Sequence, residues 1–186
     1  MWKLIARIIL ALSGWSVNRD CPRNVRKAVM IAAPHTSNWD IVYALSALHI
    51  LEIPIRFTIK KEWMKPPIGI LLRVLGAIPI DRKPKGLKKE NTVDAMARLF
   101  EERDHLVILV TPEGTRKYAK RWRSGFYHVA KRADVPIILG YLNYEKKEAG
   151  IRPEPFYLTD DINQDIEHIK DYYRDIPAKF PEQGVY

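Results

Sequence analysis

The chain has 186 residues, 47% hydrophobic and 28% charged, with 31 Lys+Arg against 22 Asp+Glu for a net charge of +9. That length and apolar content bury a core in one globular domain and exclude a disordered chain. One cysteine, Cys21, closes no internal bridge, which excludes disulfide scaffolds and metal fingers and points to a reducing setting.

The charge is lopsided. Residues 1–143 carry 25 Lys/Arg and 12 Asp/Glu, whereas residues 144–186 carry 6 and 10. The main body therefore expects an anionic partner. Nucleic acid, an acidic membrane surface and a phosphorylated small molecule all satisfy that demand.

Residues 1–16 read as a helix with Trp2, Leu4, Ile5, Ile8, Ile9, Leu12 and Trp15 on a broad apolar surface and Lys3 and Arg7 on another. Only 11 uncharged residues separate Arg7 from Arg19, too few for a spanning helix, which needs about 20. Gly14-Trp15-Ser16 makes a poor signal-peptide cleavage site. The pattern fits an amphipathic helix lying in a membrane interface, here taken as residues 1–18, with residues 19–186 as the main domain. Packing of that helix on its own domain is the alternative.

Lys27–Ala33 is a continuous apolar run ended by Pro34, the signature of a buried strand. A polar cluster follows, Pro34-His35-Thr36-Ser37-Asn38-Trp39-Asp40, with Ser37 placed to cap a helix over Trp39–Leu51. At such a loop-to-helix corner Asp40 can reach one imidazole nitrogen of His35 and leave the other as a base. Ser37-x-x-Asp40 also reads as a capping box, in which Asp40 serves the backbone alone. Ile55–Ile59 alternates as a strand, Ile68–Leu75 is a compact apolar helix stopped at Gly76, and Ile78–Ile80 is a short strand. Lys60-Lys61-Glu62 and Ile78-Pro79-Ile80-Asp81-Arg82 form the second polar cluster. Lys88–Arg103 has helical spacing with Val93, Met96, Ala97 and Phe100 inward.

Leu106–Val110 is the next buried strand, and the third cluster, Thr111-Pro112-Glu113-Gly114-Thr115-Arg116, begins where it ends. There Gly114 permits close backbone approach and Arg116 offers a fork for phosphate. Gly125–Arg132 reads as a helix, Val135–Leu142 as a strand and Asn163–Ile176 as a final helix. Strands alternating with helices, each apolar on both faces, imply one α/β domain with a largely parallel sheet covered by helices. Polar clusters at strand ends are where such a sheet keeps its site.

These clusters, in this order, resemble the four sequence blocks of the glycerophospholipid acyltransferases, specifically the 1-acylglycerol-3-phosphate (lysophosphatidate) acyltransferases. The resemblance rests on His35 to Asp40, on Gly76 to Arg82 with Lys61, on Pro112 to Arg116, and on Val135 to Leu139, and it spans about residues 28 to 143. Thr111 stands where phenylalanine is usual, Lys117 where serine is common, and Gly140-Tyr141-Leu142-Asn143 departs from the commoner ending of the fourth block.

The resemblance implies a glycerol-3-phosphate acyltransferase-like fold. It also implies transfer of a fatty acyl group from acyl-coenzyme A or acyl carrier protein to the free hydroxyl of a lysophospholipid, most simply 1-acylglycerol-3-phosphate giving phosphatidic acid. In that reaction His35 is the general base and Asp40 orients it. Lys61, Arg82 and Arg116 hold the acceptor phosphate, Glu113, Gly114 and Thr115 shape the acceptor pocket, and Val135 and Pro136 stand on the acyl-donor side. No metal or cofactor is implied beyond the acyl co-substrate. The expected setting is the cytoplasmic face of a membrane, peripheral or monotopic. Other lysolipids, such as a lyso-aminolipid, fit the same reading.

Seven Lys/Arg and no acid lie between Arg116 and Arg132, interleaved with Tyr118, Trp122, Phe126 and Tyr127. Such a stretch fits a nucleic-acid backbone with stacking aromatics, or a lipid surface or acyl carrier. A nucleic-acid or silent lipid-binding domain, however, leaves the His35–Asp40 spacing and Glu113-Gly114 without a purpose.

Overall fold

The computed structural model describes residues 2–22, 25–80, 92–159 and 161–186. In chain order these form α1 (Trp2–Ser13), β1 (Ser16–Val17), β2 (Lys27–Ala32), α2 (Trp39–Ile50), β3 (Ile55–Lys60), α3 (Ile68–Val74) and β4 (Ala77–Ile80). There follow α4 (Thr92–Glu101), β5 (Leu106–Val110), α5 (Gly125–Ala133), β6 (Ile137–Asn143), β7 (Glu148–Ile151) and α6 (Ile162–Arg174). Short 3-10 helices cover Lys61–Met64 and Pro181–Gln183.

The strands make one sheet in the order β1-β7-β6-β2-β5-β3-β4. Among the described strand pairs only β6/β7 is antiparallel. This is the single α/β domain with a mostly parallel sheet that the alternating pattern implies. The central strands are apolar on both faces because both are covered. On one face Val29, Ile31, Leu106 and Ile108 pack with Met96 and Phe100 of α4, Phe126 and Val129 of α5, and Ile169 and Tyr173 of α6. On the other, Ala28, Met30 and Val107 meet Leu45 and Leu48 of α2.

Two strands are missing from the sequence reading. β1 is two residues long and β7 is Glu-Ala-Gly-Ile, so neither offers an apolar run or a clear alternation. Helical spacing puts Trp15 on the apolar surface of the first helix, whereas the structure turns it into the core. Gly14 takes a left-handed conformation with φ +71°, and the Trp15 and Gly14 amides donate to the Leu10 and Ala11 carbonyls at 2.8 and 3.2 Å. That pair of hydrogen bonds closes the helix in a Schellman stop and turns Trp15 inward against Leu10. Trp15 is buried, while Trp2, Leu4, Ile5, Ile8 and Leu12 stay exposed. The start of the helix expected from Lys88 lies outside the described residues.

The topology creates one crevice. β2 leads through α2 to β3, and β5, inserted between them, leads through α5 back past β2 to β6. The two connections leave in opposite directions, so the carboxyl ends of β2 and β5 form the topological switch point at which open α/β sheets bind ligands.

Candidate active site

Among the described residues six polar or charged side chains are buried, and four of them, Thr36, Ser37, Asp40 and Glu113, sit at the ends of β2 and β5. Burying polar groups costs free energy unless they are hydrogen-bonded, so such a concentration needs a network.

The network centres on Asp40. Its Oδ2 lies 3.0 Å from His35 Nδ1 and accepts the backbone N–H groups of Thr36 and Ser37, each at 2.9 Å. Its Oδ1 accepts the Tyr144 hydroxyl at 2.5 Å. Burial pushes the Asp40 pKa up, but the bonds from His35, Tyr144 and Ser37 outweigh it and hold the carboxyl below its ordinary range. An ionised Asp40 only accepts hydrogen bonds, so the facing Nδ1 carries a ring hydrogen, and in the neutral imidazole the lone pair is then on Nε2. The His35 side chain is 25% exposed against 7% for Asp40, which leaves that second nitrogen open to a ligand.

Asp40 makes the backbone bond of a capping box but does not serve the backbone alone. It accepts from the Ser37 amide as the acid of a capping box does, and it also grips the imidazole. Asn38 flanks the start of α2 with helical dihedrals and no side-chain bond to the helix, so Ser37 supplies the capping contact: its Oγ accepts the Trp39 amide at 3.2 Å, and Asp40 is the second residue of α2.

Glu113 approaches from β5. Its Oε1 accepts the His35 backbone N–H at 3.0 Å, and its Oε2 is buried with no hydrogen-bond partner among the described residues. Burial lifts its pKa to about 7, against the pull of the backbone hydrogen bonds. Gly114 follows with φ +64°, and a Cβ there would stand 2.5 Å from the Arg123 guanidinium. The Arg123 amide donates to the Pro112 carbonyl at 2.8 Å, which ties the basic segment to this turn. Arg116 reaches back across the crevice to hydrogen-bond Asn38 Oδ1.

A cavity of about 900 Å³ opens here, with His35, Asp40, Thr115, Arg116 and Arg123 on its polar side. It continues beneath α2 between Leu48, Leu51, Phe57 and Leu109, an apolar extension beside a cationic mouth. A ligand with one anionic end and one long apolar part matches such a cavity.

Other residues singled out in the sequence are not brought in. Lys61 opens the 3-10 helix after β3, is exposed, and is not among the cavity residues. Arg82 lies outside the described residues. Val135 and Pro136 are at the wrong end of β6 for direct contact: Ile137 is paired with Val29 and Gly140 with Ala32, so Pro136 stands at the amino edge of the sheet while His35 follows the carboxyl edge. Pro136 instead accepts the Val29 amide at 3.0 Å. Arg123 and Tyr144 were missed. Arg123 looked like one of seven similar cations, and Tyr144 belongs to no motif.

The basic segment is also corrected. Trp122, Phe126 and Tyr127 are buried in the core, and of the four interleaved aromatics only Tyr118 is exposed. The row of stacking rings that a nucleic-acid strand needs is absent there.

A His–Asp pair thus stands at the switch point of a mostly parallel α/β sheet, beside a cavity lined by two arginines and by apolar side chains. The acyltransferase family model matches residues 17–139, and the chain belongs to that family. Among solved structures it is similar to the 1-acyl-sn-glycerophosphate (LPA) acyltransferase PlsC from Thermotoga maritima, with a TM-score of 0.60 and 14% identity over 92% of this chain and 76% of that one. No curated protein matches the sequence.

Proposed function

We propose that this acyltransferase moves a fatty acyl group from an acyl thioester, carried by coenzyme A or acyl carrier protein, to the free hydroxyl of a lysophospholipid, with 1-acylglycerol-3-phosphate as acceptor and phosphatidic acid as product. The observation that carries the reading is the His35–Asp40 pair opening on a cavity whose mouth holds Arg116 and Arg123 and whose interior is apolar.

In this mechanism His35 Nε2 takes the proton of the acceptor hydroxyl as its oxygen attacks the thioester carbonyl carbon. Asp40 stabilises the imidazolium that forms. The tetrahedral intermediate collapses with cleavage of the C–S bond, and the imidazolium returns the proton to the leaving thiolate. The products are the diacyl lipid and the free thiol carrier, with no acyl-enzyme. Arg116 and Arg123 bind the acceptor phosphate as charge-assisted forks.

The same reading places the chain at a membrane surface. Among the described residues no helix is long and apolar enough to cross a bilayer. Exposed Trp2, Leu4, Ile8 and Leu12 on α1 form an apolar face suited to an interface, on the cytoplasmic side where acyl carriers are found. On the polar side of α1, Lys3 forms an ion pair with Glu52.

Mass spectrometry after incubation with mixed lysolipids and a palmitoyl thioester tests the substrate class. The reading expects phosphatidic acid as the main new lipid. Acylation of a lyso-aminolipid alone would replace the acceptor, and no acylated lipid would refute the activity.

A further inference from the structure

Tyr144 lies 104 residues from Asp40 in sequence, yet its hydroxyl makes the only side-chain bond to Oδ1 of that carboxylate among the described residues. It sits in the turn between β6 and β7, where its own amide donates to the Pro177 carbonyl at 3.0 Å. What orients the phenol is a wall of aromatic rings. Trp15 meets the Tyr144 ring edge-to-face at 4.9 Å and 87°, and Tyr43 of α2 meets it at 6.2 Å and 71°. Trp15 in turn stacks on Tyr43 at 4.4 Å and 19°. Aromatic pairs in these geometries are attractive beyond the area they bury, and each ring here blocks a rotation of the next.

We propose that Tyr144 is a positioning residue for the His35–Asp40 pair, and that the N-terminal segment, through Trp15, holds Tyr144 in place. The inference rests on His35 being the base proposed above. A carboxylate bound at only one oxygen can swing, whereas Asp40 is held at Oδ2 by His35 and two backbone amides and at Oδ1 by Tyr144. Its plane, and with it the direction of the imidazole, is thereby set. The hydroxyl also stabilises the ionised carboxylate; burial first, and that hydrogen bond with it, raise the Tyr144 pKa above its ordinary value. The groups facing Asp40 are His35, Thr36 and Ser37 from the loop after β2 and Tyr144 from the β6–β7 turn, with Tyr43 of α2 behind Tyr144 and Glu113 beyond His35.

The consequence is an arm of the active site that starts in α1. Gly14 stops that helix, the stop delivers Trp15 into the core, and Trp15 backs the tyrosine that holds the acid. A segment whose outer face suits a membrane thus has its inner end two rings from the chemistry.

The test is a carbon-13 NMR titration of the Asp40 carboxyl in the full chain, beside steady-state kinetics, for wild type, Tyr144→Phe, Trp15→Ala and Trp15→Phe. In Tyr144→Phe, Asp40 should titrate about one pH unit higher, the scale of a lost hydrogen bond to a charged group. In the same variant kcat should fall about tenfold with acceptor KM little changed, as misorientation of a catalytic group does. Trp15→Ala should move both readouts in the same direction by less, and Trp15→Phe should restore them. An Asp40 titration unmoved in Tyr144→Phe overturns the proposal, and one unmoved in Trp15→Ala overturns the N-terminal arm. The NMR shift is read without substrate. Its appearance in a protein that acylates no lysolipid would uphold the positioning and refute the proposed activity.

Discussion

Glu113 accepts the backbone N–H of His35 at 3.0 Å through one oxygen and buries the other without a partner among the described residues. A carboxyl so placed binds its proton more tightly folded than unfolded, and its pKa rises from an ordinary 4.5 to about 7. Between those values the native state holds more protons than the unfolded one, so stability falls as pH rises through that window. Glu113→Gln keeps the oxygen that His35 needs and removes the charge. The variant should be more stable than wild type at pH 8, by on the order of 2 kcal/mol, with little gain at pH 4. Urea unfolding at both pH values checks this, and an identical pH dependence in the two proteins would refute it.

Arg116 and Arg123 stand together at the cavity mouth. Loss of one fork from a phosphate costs the energy of a charge-assisted bond, about 1.5–3 kcal/mol. Arg116→Ala should therefore raise the acceptor KM about tenfold or more while kcat stays within a few-fold, and Arg123→Ala should do the same. Initial rates over an acceptor series read the split directly. An unchanged KM in both variants would remove the phosphate role.

Gly114 is the one residue of its turn that a methyl group cannot replace quietly, because its φ is +64° and the new Cβ would meet the Arg123 guanidinium at 2.5 Å. Gly114→Ala should lower stability by about 1 kcal/mol through the left-handed conformation and also weaken acceptor binding by displacing Arg123. Differential scanning fluorimetry and KM together test it. A Gly114→Ala protein with wild-type KM would show that Arg123 need not stay where it is.

The membrane reading makes its own demand on α1. Ile8 and Leu12 are 49% and 85% exposed, so charging them disturbs no core. The double variant Ile8→Glu, Leu12→Glu should lose at least tenfold in binding to anionic vesicles, with its melting temperature unchanged. Sedimentation with vesicles containing phosphatidylglycerol measures it, and equal binding by variant and wild type would place the lipid contact elsewhere.

The sequence made legible what is local. β2, β5 and β6 announced themselves as unbroken apolar runs, because strands covered on both faces have no polar side to show. His35 and Asp40 were readable because only a corner of chain separates them. Glu113 and Arg116 were visible as a polar strand end, although that Glu113 holds the His35 amide depends on β5 lying beside β2, which no spacing records. Tyr144 was hidden for the same reason, its partner being 104 residues away. Trp15 was misread because helical periodicity runs on through Gly14, whereas the backbone there turns. Trp122, Phe126 and Tyr127 read as available for stacking, but Phe126 and Tyr127 on α5 and Trp122 just before it pack into the core.

The central claim is that His35 is the base of an acyl transfer, and the most direct measurement is the rate of phosphatidic acid formation from radiolabelled palmitoyl thioester and lysophosphatidate by wild type and His35→Ala. A positioned general base contributes about 10² to 10⁴ in rate, so the account predicts a loss of that size in a variant whose circular dichroism matches wild type. A folded His35→Ala protein that keeps more than a few per cent of the wild-type rate would contradict it.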